Sequence, residues 1–410
     1  MPWLGILLLL LSACSADPEA ERGAEDAPAA AMTAPGEGTE RDRTLGPFLA
    51  AHWKLPIAAQ GDPPGGWTPT EASLRPQDCG SCHPEQHAQW SSSLHAGAYS
   101  PGFAGQLIEG GLAAPSQLRN CQTCHNPLEE QQPVTAEGEP NPLYDAELRA
   151  AGLVCAACHV RAHVRRGPPR REDAGPLPDP MPHGGFEVRT EFQEARFCAT
   201  CHQFFDQRAV NGKPIENTFR EWEASPQAAA GRTCQSCHMP DRAHLWRGIH
   251  DPEMVRSGVD VALADVVQAD GDVRTSLTVT NRDVGHAFPT YVTPRVFVAA
   301  WQVDASGALI EGTRARGTIG RKIDFRKSEE LFDTRVLPGE TFSLDYEQPR
   351  AAGAVALIGR VTVDPDFHYR GVFEGYLPSL KEPKARALIA EALERSSESS
   401  FTLAEVRADL

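Results

Sequence analysis

The feature that most constrains this chain is a five-residue pattern that occurs five times, two cysteines separated by two residues and followed at once by histidine. The copies are Cys79-Gly-Ser-Cys82-His83, Cys121-Gln-Thr-Cys124-His125, Cys155-Ala-Ala-Cys158-His159, Cys198-Ala-Thr-Cys201-His202 and Cys234-Gln-Ser-Cys237-His238. They take ten of the 11 cysteines, and Cys14 stands apart. Histidine is 14 of 410 residues, so its presence after all five pairs by chance has a probability below about 10⁻⁷. Two thiols one short turn apart reach the two vinyl groups of one haem, and the adjacent histidine reaches the iron from one face. Zinc sites take such pairs two at a time, which would leave one over, and a disulfide needs no histidine. The pattern therefore predicts five covalently bound haem c groups, with the ten cysteines as attachment points and His83, His125, His159, His202 and His238 as proximal iron ligands.

The amino-terminal residues speak to compartment. Residues 4–11 are aliphatic but for one glycine, too few to span a bilayer, and they end in Leu11-Ser12-Ala13-Cys14. This resembles a bacterial lipoprotein signal, which implies lipidation at Cys14 and, with Ser15 following, the outer membrane. A plain cleaved signal peptide is the alternative, since Met1-Pro2-Trp3 carries no positive charge. A net charge of -16, from 39 basic and 55 acidic residues, excludes nucleic acid as the expected partner. Residues 15–46 are rich in Ala, Pro, Glu and Gly, which predicts a disordered tether.

The expected fold class is α+β. Residues 47–256 read as a pentahaem cytochrome domain, mostly helical or irregular, in which the flat haems stand in for an apolar core. From 257 the pattern changes. Residues 259–267 and 274–280 alternate, 295–303 and 354–363 are aliphatic and β-branched, and Asp270-Gly271-Asp272, Ala305-Ser306-Gly307 and Pro338-Gly339 mark turns. An Ig-like antiparallel β-sandwich over 257–375 follows. Residues 376–410 read as a helical tail, with a helix over 381–395 and Thr402-x-x-Glu405 as a capping box opening a second.

What fills the second axial position of each iron decides between a closed electron carrier and an iron that binds substrate. Nine histidines lie outside the motifs: His52, His87, His95, His163, His183, His244, His250, His286 and His368. Methionine is scarce, so bis-histidine ligation is expected. His87 and His163 each follow a proximal histidine by four residues, which on a helix puts them on its face and directs them to a neighbouring haem, a propionate or a haem edge. His52 and His368 read as surface residues.

The stretch Cys79–His83 followed by Trp90-Ser-Ser-Ser-Leu-His95-Ala96 resembles the opening of the cytochrome c554 family, related to multihaem hydroxylamine and nitrite enzymes. In that family the histidine corresponding to His95 is a distal ligand. His183-Gly-Gly-Phe186, ahead of the fourth motif, is similar to a histidine preceding a later motif in the same family. Cys234 to Pro240, then His244 and Gly248-Ile-His250-Asp251, resembles larger multihaem cytochromes. Those often end in a sandwich with Asn-x-x-x-Gly-His-x-Phe-Pro-Thr, here Asn281 to Thr290. The resulting distal set is His95, His183, His244, His250 and His286, the last reaching from the sandwich as a lid over one haem, with a buried structural histidine as the alternative.

The expected function is electron transfer by a lipid-anchored five-haem protein on the periplasmic side or surface of the outer membrane, with redox proteins or other cytochromes as partners and an oligomer left open. An electron carrier is favoured over an enzyme. The alternative is a multihaem oxidoreductase acting on a small nitrogen or sulfur compound at a five-coordinate haem, although no CxxCK motif is present. The sandwich could also serve as a docking module.

Overall fold

At each Cys-x-x-Cys-His motif the chain makes a short helical turn. The third and fifth motifs are single turns, Cys155–His159 and Cys234–His238, and the second closes the helix Pro115–His125. The fourth closes Ala199–His202; the first begins in Pro76–Gly80 and its His83 caps Pro84–Ser91. On a helix, residues i, i+3 and i+4 share one face, so a motif that lies wholly in a helix, as the second, third and fifth do, carries its two cysteines and its histidine on one side.

The computed structural model describes residues 40–109, 115–204 and 209–410. The signal peptide expected over 1–14, Cys14 and most of the tether lie outside the described residues. The end of that tether is helical, however. Glu40–His52 kinks at Gly46 (φ 75) before Pro47, and Leu45, Leu49 and Trp53, spaced by four, are all buried. That apolar stripe outweighs the disorder-prone composition on its amino-terminal side.

The described chain forms two units, which interleave in sequence. One comprises residues up to Cys201 with Cys234–Trp246 and Leu380–Ile389; the other is His202–Thr233, Arg247–Ser379 and Ala390–Leu410. The first is built of short helices and turns. Its small sheet has the order β1 (Val160–Arg161), β2 (Val164–Gly167), β3 (Glu187–Val188). Ala162 and His163 form the β1–β2 turn at φ 47 and 61, so His163 lies off any helix and the helical phasing expected of it does not apply. Residues 380–389 join this unit because Ile389 and Ala385 are buried; a Cβ on Gly105 of the helix Pro101–Glu109 would lie 2.9 Å from the Ile389 side chain.

The second unit carries the antiparallel sheets. After the hairpin β4 (Ala209–Val210) and β5 (Lys213–Pro214) come β6 (Val259–Leu263), β7 (Val267–Ala269), β8 (Asp272–Asn281), β9 (Arg295–Val303) and β10 (Ala315–Ile319). Then follow β11 (Arg321–Asp324), β12 (Glu329–Asp333), β13 (Thr341–Pro349), β14 (Ala356–Asp364) and β15 (Phe401–Asp409). One sheet runs β13-β8-β6, with β7 also on β8, and the other β10-β9-β14-β15. Leu277 and Val279 of the first share a core with Val296, Val298, Val361, Val363 and Leu403 of the second. The Leu277 side chain packs directly on the strand opposite: a Cβ on Gly359 would sit 3.2 Å from it, room that a strand glycine leaves. The β7–β8 turn uses Asp270 and Gly271 at φ 55 and 86, the dihedral signs of a tight hairpin.

The tail corrects an expectation. The helix Pro383–Glu398 forms, but Thr402 to Glu405 do not begin a second one. They lie in β15, paired along β14 from Val363↔Phe401 to Ala356↔Asp409. A free edge beside the buried β14 offers a full ladder of hydrogen bonds, and the alternation of Phe401 and Leu403 with polar neighbours suits a half-buried strand better than a short exposed helix.

Candidate haem-binding site

Metal-bound imidazole gives one nitrogen to the metal, and the bond made by the other nitrogen fixes which. His125 donates from Nδ1 to the Ala98 carbonyl and His159 to that of Arg166, each at 2.7 Å. His202 donates from Nδ1 to the Glu216 carboxylate at 3.0 Å. In all three the nitrogen so engaged is Nδ1, the arrangement that directs Nε2 to a metal. Burial pushes the His159 imidazole down to about 4, against the pull of the Arg166 carbonyl. It also lowers His83, with the nearby His183 adding to the effect. Both shifts run toward the neutral form that a ligand must have. The donor set, two thiols and one oriented imidazole per helical turn, fits covalently attached haem.

The motifs are not isolated from one another. Within the first unit the thiols of Cys79 and Cys155 share a hydrogen bond, as do those of Cys198 and Cys234. The first motif therefore abuts the third and the fourth abuts the fifth.

Three of the expected distal histidines lie in this unit. The His244 ring faces that of His159 at 6.2 Å between centroids and 37° between planes. Its backbone N–H donates to the Gln89 side chain at 2.7 Å, and its ring meets Trp246 edge-on at 5.2 Å. His95 meets the same Trp246 at 4.6 Å. Its turn is docked by Leu153, whose N–H donates to the His95 carbonyl at 3.0 Å. His183 sits in a left-handed turn (φ 44). Its N–H donates to Glu71 at 3.0 Å and its Nδ1 bonds the Gly185 carbonyl at 3.0 Å.

Gly152 is what lets the His95 turn close. Its φ is +70, and a Cβ there would lie 2.8 Å from the His95 carbonyl oxygen and 3.0 Å from that of Ala96. Gly152→Ala should cost about 1–3 kcal/mol through backbone strain and displaced contacts. A denaturant midpoint equal to that of the unaltered protein would contradict this.

The other two distal candidates lie in the second unit. His286 bonds the Ala287 carbonyl through Nδ1 at 3.0 Å. His250 is held through Nε2 by both oxygens of Asp366, at 3.1 and 3.2 Å.

Two histidines depart from the surface positions expected of them. His52 is 3% exposed, packed against Phe48, Phe192 and Phe197, with Nε2 bonded to the Cys158 carbonyl at 3.0 Å. Burial and then Arg161 pull it down to about 3, and its Nδ1 is buried without a hydrogen-bond partner. The signal that would have found it is the Leu45, Leu49, Trp53 stripe, whose helix carries His52 inward. His368 is half-buried beside Phe325.

Residues 78–160, which contain the first three motifs and His95, match the pattern of the family described as cytochrome c554 and c-prime. No curated protein matches the chain. Among solved structures it is similar to a penta-heme cytochrome c552 from Thermochromatium tepidum, at 18% identity and a TM-score of 0.60, over 84% of this chain and 100% of that one. That likeness carries the fold alone. The family match over 78–160 and the likeness in fold are both to c-type cytochromes, and the five motifs carry the haem-attachment pattern of such proteins. Within that class its resemblance lies with the cytochrome c554 group, over 78–160. Among the described residues no helix is long and apolar enough to cross a membrane.

Proposed function

We propose that the chain is a five-haem electron carrier, one haem on each motif, with His95, His183, His244, His250 and His286 as distal ligands. The observation that carries this reading is the facing pair His159 and His244. Two imidazoles on opposite sides of one metal, each with a bond of about 2 Å, place their centroids about 6 Å apart; the observed 6.2 Å meets that. Haem supplies one-electron redox chemistry, and a histidine on both faces closes the iron to substrate. The abutting motif pairs support short transfer distances between cofactors.

The lipoprotein signal ending at Cys14 supports export and anchoring at the outer membrane, on its periplasmic side or surface, with the acidic chain meeting redox partners there. Second-unit sheets that share one core support an Ig-like sandwich, which could dock such a partner.

One observation favours the second reading, an oxidoreductase with an open iron acting on a small nitrogen or sulfur compound. Asp366 holds the His250 nitrogen that an iron would take, which leaves four distal histidines for five haems. Electron paramagnetic resonance of the oxidised protein, with haem quantified on the same sample, separates the two. Five haems, all low-spin, are expected; a high-spin signal worth one haem would replace the carrier by the enzyme.

A further inference from the structure

We propose that Glu216 is a positioning and tuning residue that holds the potential of the haem on His202 below those of the haems on His125 and His159. This rests on the reading of His202 as a proximal ligand. The three histidines make the same Nδ1 bond to different partners. For His125 and His159 the acceptor is a neutral backbone carbonyl, but for His202 it is a carboxylate. A carboxylate drawing on the Nδ1 proton gives the ring imidazolate character, which makes Nε2 a stronger donor and stabilises the oxidised iron. Second-shell hydrogen bonding is one of the levers by which a protein sets such a potential.

The carboxylate is placed rather than incidental. Glu216 follows the β4–β5 hairpin and makes a backbone bridge to Tyr291, and its carbonyl accepts the Phe204 N–H at 2.8 Å. On the carboxyl side, Asn217 opens the helix Thr218–Glu223 and its side-chain oxygen accepts from Gln203 at 3.0 Å. The chain is thus fixed immediately on both sides of the residue. Lys213, three residues away, is engaged by Glu330 at 2.9 Å and Asp333 at 2.6 Å, so its charge is committed elsewhere. The Glu216 side chain is 20% exposed and that of His202 53%, so water reaches the pair chiefly from the imidazole side.

Spectroelectrochemical titration of the fully haem-loaded protein tests this with Glu216→Gln, which keeps the shape and a hydrogen-bonding oxygen but removes the charge. One midpoint potential should move upward and the rest should stay in place. A tenfold change in the ratio of reduced to oxidised iron at fixed potential corresponds to 59 mV for one electron. Glu216→Asp, which keeps the charge but shortens the reach, should give a smaller rise and serves if the glutamine variant does not accumulate. Unchanged potentials in a loaded variant would overturn the tuning role alone. A peptide map of the unaltered protein showing no haem on Cys198 and Cys201 would instead remove the reading of His202 as a ligand, and this proposal with it.

Discussion

Replacing His244 with alanine is expected to turn one iron from low-spin to high-spin while the covalently bound haem content stays the same. Attachment depends on Cys155 and Cys158, which the substitution leaves alone. His159 keeps its orientation because the Arg166 carbonyl fixes its Nδ1 from the other side of the ring. What is lost is the imidazole 6.2 Å away. Trp246, which meets the edge of that ring at 5.2 Å, cannot take its place, since an indole N–H is a donor only. The opened iron should then bind an exogenous ligand such as imidazole or cyanide and recover a low-spin signal. A His244→Ala protein that carries its full haem complement and remains wholly low-spin would end the pairing of His244 with His159. Loss of haem from the third motif alone would assign His244 a role in folding instead.

The same pair shows what could be read from the sequence and what could not. Haem attachment uses residues one helical turn apart, so its chemistry is written locally and all five motifs are visible without a fold. A distal ligand comes from wherever the chain happens to pass the opposite face. His159 and His244 are separated by two other motifs, and no periodicity links them. His244 was identifiable as a candidate, but the ring it lies beside, that of His159, was not. His52 was misplaced for a related reason: the Ala- and Pro-rich stretch before it hid a short helix whose buried face is set by only three residues, Leu45, Leu49 and Trp53. In the tail, Thr402 and Glu405 satisfy the rule for a helix start, yet an unpaired edge on β14 was available and the strand β15 took it. Local signals failed there because the competing structure was provided by residues about 40 positions away.

The largest effect on stability is expected in the second unit, at Arg321. Its side chain is fully buried, an unusual place for a guanidinium. Nε donates to Glu330 at 2.7 Å, one terminal nitrogen to the Pro214 carbonyl at 2.5 Å, and the other to the carbonyls of Val210 and Lys213 at 2.9 and 3.1 Å. One side chain thus ties the β4–β5 hairpin to the β11–β12 pair. Arg321→Leu preserves bulk but takes the guanidinium donors from three carbonyls, that of Pro214 buried, and removes one of two cations from Glu330, which retains Lys213 at 2.9 Å. Removing one partner of a buried ion pair costs about 3–5 kcal/mol, and the retained lysine puts this case near the lower end. For a unit of this size that is a fall of about 10 °C in the melting temperature. Arg321→Lys should recover only part of the loss, since a point charge with three donors cannot replace a planar fork that serves four acceptors. Hydrogen exchange should quicken first in the hairpin around Val210 and Lys213. A leucine variant that melts within a degree or two of the unaltered protein would mean that the carbonyls find water when the guanidinium leaves, and that the hairpin is held by its packing with Val292 and Ile323 rather than by Arg321.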